Sequence, residues 1–121
     1  MPRLIETSTR IEAAGTKKKI IDEFIGNVNT STENVSIAIM HSPTGWEEPG
    51  QQPDFDEYTV VLKGMLRVTC LDGTIDVNEG QAIIVDAHEW VQYSTPYEEG
   101  ADYVSVCIPA FSPSTIHRND E

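Results

Sequence analysis

The chain has 121 residues, 39% of them hydrophobic, and a formal net charge of −12. That length predicts one compact core rather than two domains, and that charge excludes a nucleic-acid partner or an anionic membrane face, whose affinity rests on clustered Lys and Arg. No apolar run reaches the roughly 18 residues needed to span a bilayer, and the N-terminal MPRLIETSTR carries no signal-type apolar segment, so a cytoplasmic location is expected.

Residues 1–18 read as an N-terminal arm. Five of the eight basic residues (Arg3, Arg10, Lys17, Lys18, Lys19) fall in the first 26 positions, so residues 27–121 hold three bases against sixteen acids, a balance that predicts a solvated acidic surface. The segment 11–25 is broken by Gly15, and 19–25 reads as a strand in preference to a helical turn. Short β-branched runs then predict strands over 35–40, 57–62, 66–71, 74–77, 82–85, 91–94 and 103–108. Turn signals separate them, among them Pro43-Thr44-Gly45, Lys63-Gly64, Asp72-Gly73 and Glu79-Gly80. Asp72-Gly73 predicts a two-residue hairpin turn with positive φ at both positions. The rhythm is that of an all-β barrel or sandwich with about eight or more antiparallel strands and little helix. The whole chain, 1–121, is expected to form one domain with its core over 19–110 and a polar tail, 111–121, that wanders or packs on a partner subunit. Cys70 and Cys107 lie in apolar strand contexts without CxxC spacing, which predicts buried free thiols.

The stretch GWEEPGQQPDFDEYTVVLKG places Gly45, Glu57 and Gly64 at the spacing of the first cupin motif, with Gln51 and Pro53 where that motif has histidines. Gly80 opens the second motif, whose remaining places are taken by Asp86, His88, Val91 and Thr95. The chain therefore resembles the cupin superfamily. The resemblance implies a double-stranded β-helix, or jelly-roll barrel, often dimeric, with a metal or small ligand inside. The family's metal site uses three imidazoles and one carboxylate; Pro53 and Val91 offer no donor, and only Glu57 keeps its place. No cofactor is expected, and a divalent metal, if held at all, would be held weakly by Glu57, Gln51, His41 and His88.

Strand alternation from Glu57 puts Thr59 and Val61 on its face and Tyr58, Val60 and Leu62 on the other, and the resemblance makes the Glu57 face the inner one. A carboxylate inside an apolar barrel must be paired, hydrated or protonated. The partners anticipated for it are Gln51, Tyr93, Thr59, a cation or a ligand. His88 occupies a glycine place in a turn, which predicts an outward side chain. His41 shares a face with Ile37 and Ile39. Glu47, Glu48, Asp54 and Asp56, beside Glu57, read as a solvated acidic loop. Trp46 and Trp90 flank the motif loops, either at a barrel mouth or as plugs between sheets. A looser resemblance, resting on Asp56-Glu57 before Val61-Leu62-Lys63-Gly64 and on the closing strand 103–110, is to the ethanolamine-utilisation Q proteins. In that family acidic pocket residues are implicated in acetate kinase activity, but this chain has no phosphate-cradling glycine loop and no pocket Lys or Arg near the motif.

Two functional readings follow. The first is a barrel that binds a small organic molecule, lined by Gln51, His41, Trp46, Thr59 and Val91. The second is an enzyme of isomerase, lyase or acyl-group type, with Glu57 as acid or base and Tyr93 assisting. A homodimer is expected from the resemblance and from the exposed edges of a lone barrel.

Overall fold

The computed structural model describes residues 1–119, which form strands and turns with no helix among them. The strands are β1 Thr9–Ile11, β2 Ile20–Ile25, β3 Ser36–Ser42, β4 Trp46–Glu47, β5 Asp56–Cys70, β6 Gly73–Asn78, β7 Ala82–Val85, β8 Val91–Thr95 and β9 Ala101–Ile108. They pair in the order β1-β2-β3-β9-β5-β8-β4, with β6 and β7 also paired to β5. β3 runs on to Ser42, two residues past its expected end at 40, and the short β1 and β4 lack the length that a β-branched run needs to stand out in sequence.

One strand joins the two halves of the barrel. Residues 56–64 of β5 pair with β9, while residues 65–70 pair with β6 and 67–70 also with β8. The Lys63-Gly64 turn expected from sequence is therefore a bend within one long strand, marked by a register shift between Val61 and Lys63. Gly64 has φ 78°, and a Cβ on it would overlap the carbonyl oxygen of Gly100. Both facts demand glycine.

The hairpin prediction needs a smaller correction. Cys70 pairs with Gly73, so the turn residues are Leu71 and Asp72, and Gly73 alone has positive φ, at 143°. The glycine relieves the exit from the turn rather than sitting at its centre.

Alternation along β5 is as the spacing predicts. Glu57, Thr59 and Val61 are buried, and Tyr58, Val60 and Leu62 are exposed. The main core is built from Trp46, Val61, Leu66, Val68, Val77, Val91, Tyr93 and Tyr103. A second cluster gathers Phe55, Cys107, Phe111 and Ile116.

That second cluster explains the tail. Instead of wandering, it folds back along the 50–54 loop, where the amides of Gln52, Asp54 and Asn119 donate to the carbonyls of His117, Thr115 and Gly50 at 3.0, 2.8 and 2.8 Å. Ile116, the apolar residue of an otherwise polar segment, is the anchor, and its burial is the main gain. The N-terminal arm packs as well: β1 pairs with β2, and the Trp46 indole donates to the Ala14 carbonyl at 3.0 Å.

Gly64→Ala is expected to destabilise the fold by roughly 2 kcal/mol or more, through left-handed backbone strain and the clash with Gly100. Urea unfolding of the two proteins side by side checks it, and an unchanged midpoint would contradict the bend described here.

Candidate functional site

Inward side chains of β2, β3, β5, β8 and β9, with both terminal segments, line a partly open cavity of about 60 Å³. That is several times the ~10–15 Å³ that admits one water. Part of its wall is apolar, with Ile21, Ala38, Met40, Phe55, Phe111 and Ile116. The rest is unusually rich in ionisable groups for a barrel interior.

Glu57 is 9% exposed. Its Oε1 accepts a hydrogen bond from the Tyr93 hydroxyl at 3.0 Å, and its Oε2 accepts from the Ser105 hydroxyl. Tyr93 comes from β8 and Ser105 from β9, so the two donors reach the carboxylate from opposite halves of the barrel. Burial, and then the charge of Glu57, push the Tyr93 phenol well above its ordinary range, which keeps its proton available for donation. Cys107 stands directly opposite Glu57 in the β5–β9 pairing; burial first, and Glu57 next, push its thiol up, so it is not an activated nucleophile. Ser105 was not among the sequence candidates. Alternation through 103–108, with Tyr103, Ser105 and Cys107 on one face, was the signal that would have found it.

Glu48 corrects the acidic-loop expectation. Trp46 is buried and Glu47 exposed, so the same alternation carries Glu48 inward, to 8% exposure. Burial raises its carboxyl to about 7; Glu57 adds to the rise, and Lys19 and Arg118 oppose it. Lys19 lies with Nζ 4.1 Å from the Trp46 ring centroid and 5.1 Å from that of Tyr103, a cation–π seat. Burial pulls its pKa down, but Tyr103, Glu48 and Glu57 outweigh that and leave it raised. Tyr103, buried, is pushed up by burial and held back by Lys19, and its hydroxyl meets Ser42 Oγ at 3.0 Å. Glu23, also in the wall, is occupied elsewhere: its Oε2 accepts from the amides of Val28 and Asn29 at 3.0 and 2.9 Å.

Gln51 bridges Val91 on one side and Arg118 of the tail on the other. It is 3% exposed and lines the cavity. Among the described residues its Oε1 and the Nε of Arg118 are buried without a hydrogen-bond partner. Thr59 also lines the cavity.

Other sequence candidates lie elsewhere. His41 is on the outer face, its Nδ1 2.9 Å from Asp102, because the Ile37, Ile39, His41 face turns out to be the outer one. Trp46 and Val91 are core residues outside the cavity wall. Trp90 donates to Asn119 of the tail at 3.1 Å. His88 has φ 73° and a side chain 71% exposed, 3.5 Å from Asp54; His117 lies 2.7 Å from the same carboxylate.

The fit to the family's metal follows from these positions. All three histidines stand outside the barrel, paired with Asp54 or Asp102, and both oxygens of Glu57 already accept hydrogen bonds. No group of three or more His, Cys, Asp or Glu suited to a metal occurs among the described residues. The interior donor set does not fit a histidine-held transition metal, and the set Glu57, Gln51, His41 and His88 is not brought together.

With this geometry in hand, the protein has the cupin fold. It is similar to an ethanolamine utilization protein Q from Salmonella typhimurium, with TM-score 0.70 and 18% identity, covering 86% of this chain and 80% of that one. It is also similar to the polyketide cyclase RemF from Streptomyces resistomycificus (TM-score 0.76, 15% identity, 98% and 85% covered). A third similar structure is an oxalate decarboxylase from Bacillus subtilis (TM-score 0.73, 21% identity, 96% and 31% covered). In sequence it is 39% identical over 99 residues to the endoribonuclease YbeY of Myxococcus xanthus, over 82% of this chain and 34% of that protein. The chain thus spans about a third of that curated relative. No family model matches the sequence.

Because the Glu48 carboxyl is raised in the folded state, the native protein binds a proton there that the unfolded chain has released. Its charging therefore erodes stability as pH climbs from about 4.5 to about 7, by roughly 3 kcal/mol at most. Glu48→Gln is expected to gain melting temperature over the wild type at pH 8 and to gain little at pH 4.5. Thermal unfolding at both pH values measures this, and an equal effect at the two would remove Glu48 from the interior.

Proposed function

We propose that the barrel binds a small organic molecule in this cavity, through hydrogen bonds and charge rather than through a histidine-held metal. The observation that carries the reading is Gln51: a carboxamide 3% exposed, facing a cavity, with its acceptor oxygen unpartnered among the described residues. A buried unsatisfied polar atom is destabilising by about 1–3 kcal/mol, and a ligand donor supplies what the protein lacks. The enzyme reading built on Glu57 is the weaker one, because Tyr93 and Ser105 engage both of its oxygens. RNA cleavage belongs by name to the whole Myxococcus xanthus relative, two thirds of which lies outside the match, and a net charge of −12 opposes binding of a phosphate backbone. Two free thiols accord with a reducing, cytoplasmic setting.

Self-association is part of the proposal. Tyr58, Val60, Ile84 and Ile108 are exposed, and Tyr58 pairs with both Ile84 and Val106, so they share one outer face with Val104 and Val106. In a chain this acidic, two copies approach best where acid is absent or engaged; of the acids beside this face, Asp22 and Asp102 are paired with Arg10 and His41, and Asp56 accepts the Ala87 amide. A second copy is the occupant that this surface suits.

A thermal-shift panel of small acids, amines and sugars is expected to yield at least one compound that raises the melting temperature, as ligands of the native state must, with the shift lost in Gln51→Leu. A panel with no response would sink the binding reading. For the dimer, light scattering after size exclusion is expected to give twice the 13.4 kDa chain mass and the monomer mass for Val60→Lys; a monomeric wild type refutes it.

A further inference from the structure

The cavity's charges are not evenly matched to its donors. Eight ionisable side chains face it: Lys19 and Glu23 from the β2 region, Glu48 beside β4, Glu57 on β5, Tyr93 on β8, Tyr103 and Cys107 on β9, and Arg118 on the tail. Two of the three carboxylates are answered by neutral donors. Glu23 takes the amides of Val28 and Asn29, and Glu57 takes the hydroxyls of Tyr93 and Ser105. Among the described residues neither Lys19 nor Arg118 forms an ion pair within 4.0 Å; the pairs present involve Arg10, Arg67 and the histidines. Glu48 is the third carboxylate, and both Lys19 and Arg118 act on it.

With Glu48 protonated, the charges of Lys19 and Arg118 are matched by those of Glu23 and Glu57, whose oxygens already hold neutral donors, so among the described residues the polar atoms left open to a guest are those of Arg118 and Gln51. The unpartnered Arg118 Nε needs an acceptor oxygen, and the unpartnered Gln51 Oε1 needs a donor. Gln51 and Arg118 are neighbours through their backbone bridge, so one compact group must present both. A carboxylate with a hydroxyl on the adjacent carbon does this, and at about 60 Å³ the cavity admits only a few heavy atoms.

We infer that the cavity takes a small 2-hydroxycarboxylate, its carboxylate facing Arg118 and Lys19 and its hydroxyl donating to Gln51, with Glu48 taking up a proton as the anion enters. This rests on the binding reading above and narrows it to one class of ligand. The sign follows from the charges. Below about pH 7 Glu48 is neutral and does not compete with the anion for the cations. Above it Glu48 competes for them and repels the ligand, so binding must carry one proton in, and affinity falls about tenfold per pH unit.

Calorimetric titration with glycolate, using acetate and glycolamide as comparators, tests this. Glycolate is expected to bind tighter than acetate, which lacks the hydroxyl, and than glycolamide, which lacks the charge. Its dissociation constant is expected to rise about tenfold between pH 7.5 and 8.5, and Glu48→Gln is expected to bind glycolate with no such rise. Equal affinity for the three compounds, or a wild-type affinity flat across that pH range, overturns the inference. If amines or sugars raise the melting temperature in the wider panel and glycolate does not, the hydroxy-acid class falls and the binding reading stands; if no compound does, both fall.

Discussion

A carboxylate placed inside a β-barrel must be given donors, and Glu57 receives two that come from opposite sides. Tyr93 reaches it from β8 and Ser105 from β9, so the buried charge becomes a tie across the interior. Removing either donor would leave a lone pair of a buried carboxylate without a partner, which is among the more destabilising changes a core can suffer. The tie also decides what Glu57 is free to do. With both oxygens engaged it acts as a fixed point of the wall, and the groups left to meet a guest are Glu48, Gln51, Lys19 and Arg118.

Those four reach one cavity because the chain ends close the barrel. Lys19 enters at the end of the arm, over Trp46, and Arg118 enters from the tail, bridged to Gln51. Ile116 pins the tail against Phe55, Phe111 and Cys107, so apolar burial positions a cation that electrostatics alone would leave in water. The long strand β5 supplies the frame: its bend at Gly64 lets one strand serve both halves.

The same scaffold in the similar solved structures carries unrelated names, from a polyketide cyclase to an oxalate decarboxylase. A fold shared at such low identity settles architecture and leaves the chemistry to the side chains. Here the histidine places hold Gln51, Pro53 and Val91, and the interior has become a mixed set of carboxylates, hydroxyls and two cations. The imidazoles that the chain does possess serve outside, as partners for Asp54 and Asp102.

By itself the sequence determined the all-β class and most strand positions, which follow from period-two alternation and turn glycines; alternation put Glu57 and Thr59 on one face, and the resemblance to the cupins made that face the inner one. It also pointed to His88 as a turn residue. It did not separate the inner from the outer face of β3, because Ile37, Ile39 and His41 are as apolar as the true inner row, and only pairing with β2 and β9 fixes which side closes on itself. Glu48 was hidden within an acidic run that read as solvated, Lys19 within a basic one, and Arg118 within a polar tail; local composition set none of them apart as a cavity residue. The tertiary structure decided otherwise, because burial is set by what packs on top of a residue: Lys19 lies against Trp46 and Tyr103, and Arg118 against Gln51, all distant in the chain.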